Sequence, residues 1–266
     1  MSRYHFVNVG FGDCTILEYK NPINTESKVI MIDCGWGYSK QSETNVAKYL
    51  KNEVGIPWID VLIITHPHYD HFYGMKDILD EKLLVLEIWG SPYQRRFGDS
   101  SLNLDEYNEY LALQESFKAL GTKSYTVSSW YSQAITASAQ LTILGPIKTI
   151  NEDAGREVHD GNIVVRIAEG KDTLIVCGDA SDKNLQTIMA EKFNLAGCNI
   201  LRASHHGSIN GADLNFIKAT KQDKKTIIST KAGVKQGVPD STALKRYGDY
   251  SANVLRTDIK GHIVFA

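Results

Sequence analysis

The 266-residue sequence lacks the features that mark membrane, secreted and disordered proteins. Its apolar runs, such as Val61–Thr65, fall far short of the ~20 residues that a membrane-spanning helix needs. No apolar signal region follows the first residues, and no two of the four cysteines have the CxxC spacing of metal or redox motifs. We therefore expect a cytoplasmic protein whose cysteines are reduced and lie in or near the core. A hydrophobic share of 42% excludes a disordered chain.

The chain also lacks an excess of charge of one sign. Its 29 basic and 31 acidic residues give a net charge of −2, whereas proteins that bind nucleic acid regardless of sequence usually carry a basic face. This balance weighs against a dedicated DNA-binding protein. The sequence contains no internal repeat, low-complexity tract or linker rich in proline, glycine and serine, so we expect residues 1–266 to form a single domain.

Strand-like and helix-like segments alternate without a strict βαβ order, which favours an α/β protein with two mixed central sheets and helices outside. The clearest helix is predicted at 104–120 and is ended by Gly121. Its predicted apolar stripe consists of Leu104, Tyr107, Leu111, Gln114, Phe117 and Leu120. Further helices are predicted at 43–53 (with Ser42 as N-cap), 73–81, 182–194, 212–219 and 241–247, and strands at 4–9, 14–19, 28–33, 59–65, 83–89, 141–144, 162–168, 172–177, 198–203, 226–229, 253–257 and 262–265.

Three of the eight histidines lie within six residues, in the segment Thr65-His66-Pro67-His68-Tyr69-Asp70-His71. Imidazole nitrogens and a carboxylate at this spacing are typical ligands of a zinc-type divalent metal ion. The segment follows a predicted strand, and a loop at a strand end can direct residues 66 and 68 toward one point and residues 70 and 71 toward a neighbouring one. The motif therefore predicts two adjacent metal positions. The alternative is a polar turn whose histidines cap a helix.

The histidine segment and two further motifs together resemble the metallo-β-lactamase superfamily. These motifs are Ile32-Asp33-Cys34-Gly35 before the segment and Val176-Cys177-Gly178-Asp179 after it. A narrower resemblance, to the hydrolase domain of DNA-uptake competence proteins and to bacterial phosphorylcholine esterases, comes from the segments Phe6–Asp13, Leu144–Pro146, His205–Ser208 and Arg256–Gly261. The resemblance implies an αββα sandwich whose metal site lies at one edge, between the sheets.

The resemblance also implies which residues bind metal. Asp33 would orient the histidine loop through hydrogen bonds. For His159, a lone surface histidine is the alternative to a ligand. The implied ligands are His66, His68 and His159 for the first metal, Asp70 and His71 for the second, and Asp179 as a bridge between the two.

One position departs from the family pattern. Relatives usually carry another histidine in a Gly-His-Pro turn, which completes the second metal site, whereas this sequence reads Gly237-Val238-Pro239. The departure predicts a tight first site and a weak second site, unless His205 or His206 supplies the missing imidazole. Either of these histidines could instead donate a proton or bind a phosphoryl oxygen. We take His205, His206 and Asp70 as the candidate catalytic residues.

The sequence thus predicts a metal-dependent hydrolase, above all a phosphodiesterase that acts on a nucleic acid or a small phosphodiester through a metal-bound hydroxide. Zinc is the expected metal, and manganese is the alternative because carboxylates form part of the ligand set. The resemblance to competence domains favours DNA, whereas the net charge favours a small substrate. Two other hypotheses are a lactam- or thioester-type metallo-hydrolase and a degenerate metal site used as a binding module.

Overall fold

The computed structural model describes residues 2–20, 27–36, 43–220, 225–235 and 237–266. In this part of the chain, two seven-stranded mixed sheets pack face to face, and helices cover the outer face of each sheet. The predicted α/β fold, an αββα sandwich with two mixed central sheets and helices outside, is therefore confirmed. Ser42, the predicted cap of the first helix, lies outside the described residues.

The strands of the described residues lie close to their predicted positions, with two additions. The additions, β6 and β7, are short edge strands that the sequence analysis missed, because polar edge strands carry no hydrophobic alternation. In chain order the strands are β1 Arg3–Phe6, β2 Thr15–Lys20, β3 Ser27–Ile32, β4 Trp58–Ile64, β5 Leu84–Gly90, β6 Lys123–Thr126, β7 Ser132–Ala134, β8 Ala139–Gly145, β9 Val164–Glu169, β10 Asp172–Val176, β11 Ile200–Arg202, β12 Lys225–Ile228, β13 Val254–Arg256 and β14 Ile263–Phe265.

The two sheets have matching designs. The first has the order β14-β1-β2-β3-β4-β5-β6 and the second the order β13-β12-β11-β10-β9-β8-β7. In each sheet, antiparallel pairing on one side changes to parallel pairing on the other, beginning with β3–β4 in the first sheet and β10–β11 in the second. Side chains alternate between the faces: Ile30 and Ile32 of β3 meet the second sheet, while Val29 and Met31 meet the helices.

The helices bury apolar faces against the outer sides of the sheets. Helices α1, α3 and α4 pack on the first sheet, and α5, α6 and α7 pack on the second. None of the helices found in the described segments has the length and hydropathy of a membrane span. They are α1 Val46–Tyr49, which continues as a wider turn over Leu50–Val54, α2 Tyr69–Phe72, α3 Met75–Asp80, α4 Leu104–Ala119, α5 Asp182–Ala190, α6 Leu214–Thr220, α7 Ser241–Asp249 and α8 Thr257–Lys260.

Helix α4 has its predicted bounds but not its predicted face. Its buried residues are Tyr110, Leu113 and Phe117, whereas three leucines of the predicted stripe are exposed. The prediction was wrong because leucines occur on both sides of this helix, so the apolar pattern does not single out one face. The helix packs through Tyr110, Leu113 and Phe117, of which only Phe117 belongs to the predicted stripe. The exposed leucines are Leu104, Leu111 and Leu120.

Three strands end at the same edge of the sandwich and lead into the loops that carry the chemical motifs. Strand β4 is followed by residues 65–71, β10 by residues 177–179 and β11 by residues 203–208. Because β4 belongs to the first sheet and β10 and β11 to the second, the motifs meet between the two sheets. The carboxyl ends of parallel strands are the usual position of functional sites in α/β proteins.

Candidate metal centre

A first group of donors consists of the imidazoles of His66, His68 and His159. The Nε2 atom of His66 lies 3.0 Å from Nδ1 of His68, and the same Nδ1 atom lies 3.2 Å from Nε2 of His159. Nitrogens bound at 2.0–2.1 Å to a tetrahedral zinc ion are roughly 3.3 Å from one another. The three nitrogens therefore have the separation that a shared ion requires.

Burial keeps the imidazoles of His66 and His159 in the form that binds metal. Burial, together with the neighbouring His71 and His68, holds the pKa of His66 well below its usual range. Burial and the nearby His205 do the same to the pKa of His159. A neutral imidazole has a free lone pair, which is the form that a metal ion needs.

A second group consists of Asp70, His71, Asp179 and His206, whose donor atoms lie within 4.8 Å of one another. The Nε2 atom of His206 is 3.4 Å from Oδ2 of Asp70 and 3.4 Å from Oδ2 of Asp179. The Nε2 atom of His71 is 3.2 Å from Oδ1 of Asp179. Burial would raise the pKa of Asp179, but His206, His71 and His205 lower it, so the carboxylate is charged.

Unsatisfied polar atoms test whether the second group fits a cation. Nε2 of His71, Oδ1 of Asp179 and Nε2 of His206 are buried, and none has a hydrogen-bond partner among the described residues. Their contacts with one another lack the geometry of a hydrogen bond. Buried polar atoms without partners are costly, and a bound cation would satisfy all three at once. The donor set of each group therefore fits a divalent metal ion.

Asp33 holds the histidine loop in place. Its Oδ1 accepts a hydrogen bond of 2.8 Å from the backbone nitrogen of Thr65, and its Oδ2 accepts one of 2.8 Å from the Thr65 hydroxyl. Nδ1 of His71 lies 2.8 Å from the same Oδ2, so that Nε2 of His71 is left for the second group. Burial would lower the pKa of His71, but Asp179 and Asp33 raise it well above its usual value. Asp33 thus has the orienting role that the resemblance implies.

His205 and His206 adopt an unusual backbone conformation. Their φ angles are 50° and 52°, and Gly207 follows with a φ of 80°. A residue with a side chain costs about 1–3 kcal/mol in this region, and such strain is concentrated at functional sites. The result is that the two rings separate: Nδ1 of His205 lies 3.0 Å from the carbonyl oxygen of Asn210, and Nδ1 of His206 lies 2.9 Å from that of Ser229.

Asp179 connects the two groups. Its donor atom lies within 4.8 Å of those of His159 and His205, as well as within the second group. Each site residue predicted from the sequence therefore falls in at least one cluster of potential ligands. These residues are His66, His68, Asp70, His71, His159, Asp179, His205 and His206.

Val238 lies in the turn that the resemblance singles out, and it is buried. The turn packs beside the His205–Ser208 loop, because the backbone nitrogen of Asp240 donates a hydrogen bond of 2.9 Å to the carbonyl oxygen of Gly207. The turn lacks the histidine of the family pattern, but the adjacent loop carries an imidazole at the second group. Nε2 of His206 faces the carboxylates of Asp70 and Asp179.

Two residues that support the site were missed by the sequence analysis. Asn162 accepts a hydrogen bond of 2.8 Å from the backbone nitrogen of Asp179 and donates one of 2.7 Å to the carbonyl oxygen of Cys177. Gly35 lies so close to the histidine loop that a Cβ atom there would be 1.5 Å from the carbonyl oxygen of Asp70. Only glycine allows this approach. Gly35 is the last residue of the motif Ile32–Gly35, which was a signal, whereas no motif pointed to Asn162.

A cleft of about 410 Å³ opens beside both groups. Its walls carry two aromatic rings, one exposed ammonium group and three side chains that are acidic or imidazole. The Phe11 ring packs on the ring of His206 with centroids 4.4 Å apart, and Nζ of Lys235 lies 5.9 Å from the centroid of Phe11. The lining residues are Phe11, His68, Tyr69, Asp70, Glu106 and Lys235.

Comparison with protein families gives one match. The model described as "Metallo-beta-lactamase superfamily" matches residues 7–86, which include Asp33 and the histidine segment. The sequence matches no curated protein.

Several solved structures share the fold over nearly the whole chain. The diiron β-hydroxylase CmlA from Streptomyces venezuelae has a TM-score of 0.58 and 12% identity over 99% of this chain, which spans only about half (54%) of CmlA. Zinc-bound PqqB from Methylobacterium extorquens has a TM-score of 0.53 and 9% identity, with 100% of both chains covered. A diphosphatase from the PhnP family has a TM-score of 0.51 and 12% identity over 99% of this chain and 97% of its own.

Proposed function

We propose that the chain, of which residues 7–86 match the model of the metallo-β-lactamase superfamily, is a metal-dependent phosphodiesterase with two metal sites. One observation carries the proposal, namely the position of Asp179 between the two donor groups. Its Oδ1 lies 3.2 Å from Nε2 of His71 and its Oδ2 lies 3.4 Å from Nε2 of His206, both in the second group, and its donor atom also lies within 4.8 Å of that of His159 in the first group. Paired metal sites that share a ligand are typical of phosphatases and nucleases.

The donor atoms divide between two sites. His66, His68 and His159 would hold one ion, with Asp179 as a shared ligand. Zinc suits these imidazoles, and manganese is the alternative at the carboxylate-containing second group. When bound, such ions lower the pKa of a water molecule from 15.7 toward ~7 and polarise a phosphoryl oxygen.

His206 takes the place of the family histidine that Val238 does not provide. It is fully buried, it faces both Asp70 and Asp179, and its other nitrogen is occupied by the Ser229 carbonyl. With His206 the second group has four donors, so the reason to expect a weak second site no longer applies. We therefore expect two sites of comparable strength.

Since His206 is assigned to the second metal site, His205 is the histidine of this loop that can transfer a proton. Its Nδ1–H donates to the carbonyl oxygen of Asn210, which leaves the lone pair on Nε2. Burial lowers the pKa of His205, which favours the neutral ring that accepts a proton. As the oxygen of water bonds to phosphorus and the bond to the leaving oxygen breaks, Nε2 takes a proton from the water and delivers it to the leaving oxygen.

The cleft favours a small phosphodiester over DNA. Its volume of about 410 Å³ falls within the 300–1,000 Å³ range of small-ligand sites. Lys235 is the ammonium group at its rim and would contact a phosphate oxygen, while Phe11 and Tyr69 offer rings to an apolar or aromatic leaving group. The net charge of −2 agrees with a substrate that needs no basic face. The diphosphatase of the PhnP family, which shares the fold, is in keeping with phosphoester chemistry.

The test combines metal analysis with hydrolysis of bis(p-nitrophenyl) phosphate, with and without a chelator. We expect two ions per chain and hydrolysis that the chelator abolishes and zinc or manganese restores. His205→Gln is expected to keep both ions and to lower kcat by about 10²–10⁴-fold, the contribution of a general acid–base group. His206→Gln is expected to lose one ion. His262→Gln, an exposed histidine outside the clusters, is the matched control and is expected to behave as the unmodified protein.

Other outcomes would favour the other hypotheses. A protein that holds metal but hydrolyses a lactam or thioester rather than any phosphodiester would contradict the substrate class. A protein that binds no metal and is inert would indicate a binding module. A panel of single-stranded DNA, cyclic dinucleotides and choline phosphodiesters then separates nuclease from small-molecule activity, and we expect the small substrates to be preferred.

A further inference from the structure

A buried ion pair lies behind the second donor group and joins the two sheets. Nη2 of Arg202 is 2.8 Å from Oδ2 of Asp13, and both side chains are fully buried. Asp13 precedes β2 in the first sheet, whereas Arg202 ends β11 in the second. Removing two charges from water costs several kcal/mol per ion, so a buried pair is not explained by stability alone.

The arginine contacts the backbone beside Asp179. Its Nη1 donates hydrogen bonds of 2.7 Å to the carbonyl oxygens of Gly178 and Ala203. Gly178 immediately precedes Asp179, and Ala203 leads into the loop that carries His206. The guanidinium group thus holds the two segments through which the second sheet contributes to the second donor group.

The aspartate contacts the backbone of Asp70. The backbone nitrogen of Asp13 donates a hydrogen bond of 2.9 Å to the carbonyl oxygen of Asp70, and the backbone nitrogen of Gly35 donates one of 2.9 Å to the carbonyl oxygen of Asp13. The carboxylate of Asp13 also lies within 4.8 Å of the donor atoms of Asp33 and His71. Asp13 is therefore anchored to the segment through which the first sheet contributes Asp70 and His71.

We propose that Asp13 and Arg202 are positioning residues that set the separation of Asp70 and Asp179, and thereby the affinity of the second metal site. A series of contacts runs from the Asp70 carbonyl oxygen through Asp13 and Arg202 to the Gly178 carbonyl oxygen. It does not involve His66, His68 or His159, so it supports the first site only through the shared Asp179. The inference rests on the metal sites of the proposed function. It assigns to this pair a role in metal binding in addition to its contribution to stability.

The test is a zinc titration that resolves the two sites, with circular dichroism to measure the folded fraction. In Arg202→Met and Asp13→Asn we expect the affinity of the second site to fall about 10–100-fold, the usual effect of removing a group that orients a ligand, and the first site to change less than threefold. Arg3→Met is the matched control. It breaks the Arg3–Glu18 ion pair of 2.6 Å in the first sheet, away from the donors, and is expected to leave both affinities unchanged.

Because each single variant leaves one buried charge unpaired, the double variant Asp13→Asn/Arg202→Gln keeps the proposal testable if the singles fail to fold. The double variant buries no charge, and a glutamine at position 202 is too short to keep both hydrogen bonds to the Gly178 and Ala203 carbonyl oxygens, so the second site is again expected to weaken. Folded variants that lower thermal stability but bind two zinc ions with unchanged affinities would overturn the inference and leave the proposed function intact. An unmodified protein that binds no zinc would overturn both.

Discussion

The two donor groups differ in how the protein holds them. In the first, His68 and His159 are half-buried, and the Nε2 atom of His68 lies 3.2 Å from the carbonyl oxygen of Ser101 in a surface loop. In the second, His71 and His206 are fully buried, and each has its other nitrogen held by Asp33 or by the Ser229 carbonyl. The first group is thus held at a partly exposed position, whereas hydrogen bonds from buried groups fix the rings of the second.

The two donor groups also differ in the chemical type of their ligands. The first contains only imidazoles, while the second combines imidazoles with the carboxylates of Asp70 and Asp179. Imidazoles favour zinc, and carboxylates extend the choice to manganese. We therefore expect mutations of the residues that orient the ligands to affect the second site far more than the first. The predictions below test that asymmetry.

The largest effect is expected at Asp179, because this residue serves both donor groups. Asp179→Asn removes the shared carboxylate, so both sites lose a ligand, and hydrolysis is expected to fall by about 10³-fold or more, as when a group essential to the whole site is removed. Metal analysis should show fewer than two ions per chain. Asp172→Asn, at the exposed start of strand β10, which leads to Asp179, is the control and should retain both ions. Two tightly bound ions in Asp179→Asn would contradict the shared-ligand arrangement.

An intermediate effect is expected from Asp33→Asn, which removes support from the second donor group. Asparagine tolerates the φ of 58° at this position, so the backbone can stay in place while the charge that holds Nδ1 of His71 is removed. We expect the second site to weaken about 10–100-fold and the first to change little.

Zinc affinities measured in Asp33→Asn and in Asp60→Asn decide this prediction. Asp60 lies at the other end of the neighbouring strand and accepts hydrogen bonds from Val29 and Trp58, so its variant controls for the loss of a carboxylate. Equal weakening of both sites in Asp33→Asn would mean that Asp33 supports the loop as a whole rather than the second group.

The smallest effect is expected from Val238→His. Since His206 already faces Asp70 and Asp179, an additional imidazole is expected to change the affinity of the second site less than about threefold, well below the 10–100-fold effect of lost ligand support. In a His206→Gln background the same substitution should restore part of the lost affinity. Competition titrations with a chromophoric chelator measure both changes. A large gain in the otherwise unmodified protein would mean that His206 does not complete the site.

The sequence was informative where contacts are local or a motif is compact. The spacing of His66, His68, Asp70 and His71 predicts two adjacent groups of donors, because a strand end and a short turn leave few directions for these side chains. The fold class followed from the alternation of strands and helices. The apolar stripe of α4 did not, because its leucines lie on both sides of the helix.

Contacts between distant residues and unusual backbone conformations could not be predicted from the sequence. His205 and His206 are adjacent, and only their left-handed φ angles separate the ring that faces Asp70 from the ring held by Asn210. Arg202 and Asp13 are 189 residues apart in the sequence, so no local pattern links them. Such pairings arise from the packing of one sheet on the other.

The distribution of the donors over both sheets has a consequence for biogenesis. About half the chain separates His66 from His206, and neither donor group is complete until both sheets have formed and docked. Metal uptake must therefore be a late event after synthesis, because the unfolded chain holds no preformed site. A metal ion bound by donors from both sheets would then link the two halves of the molecule.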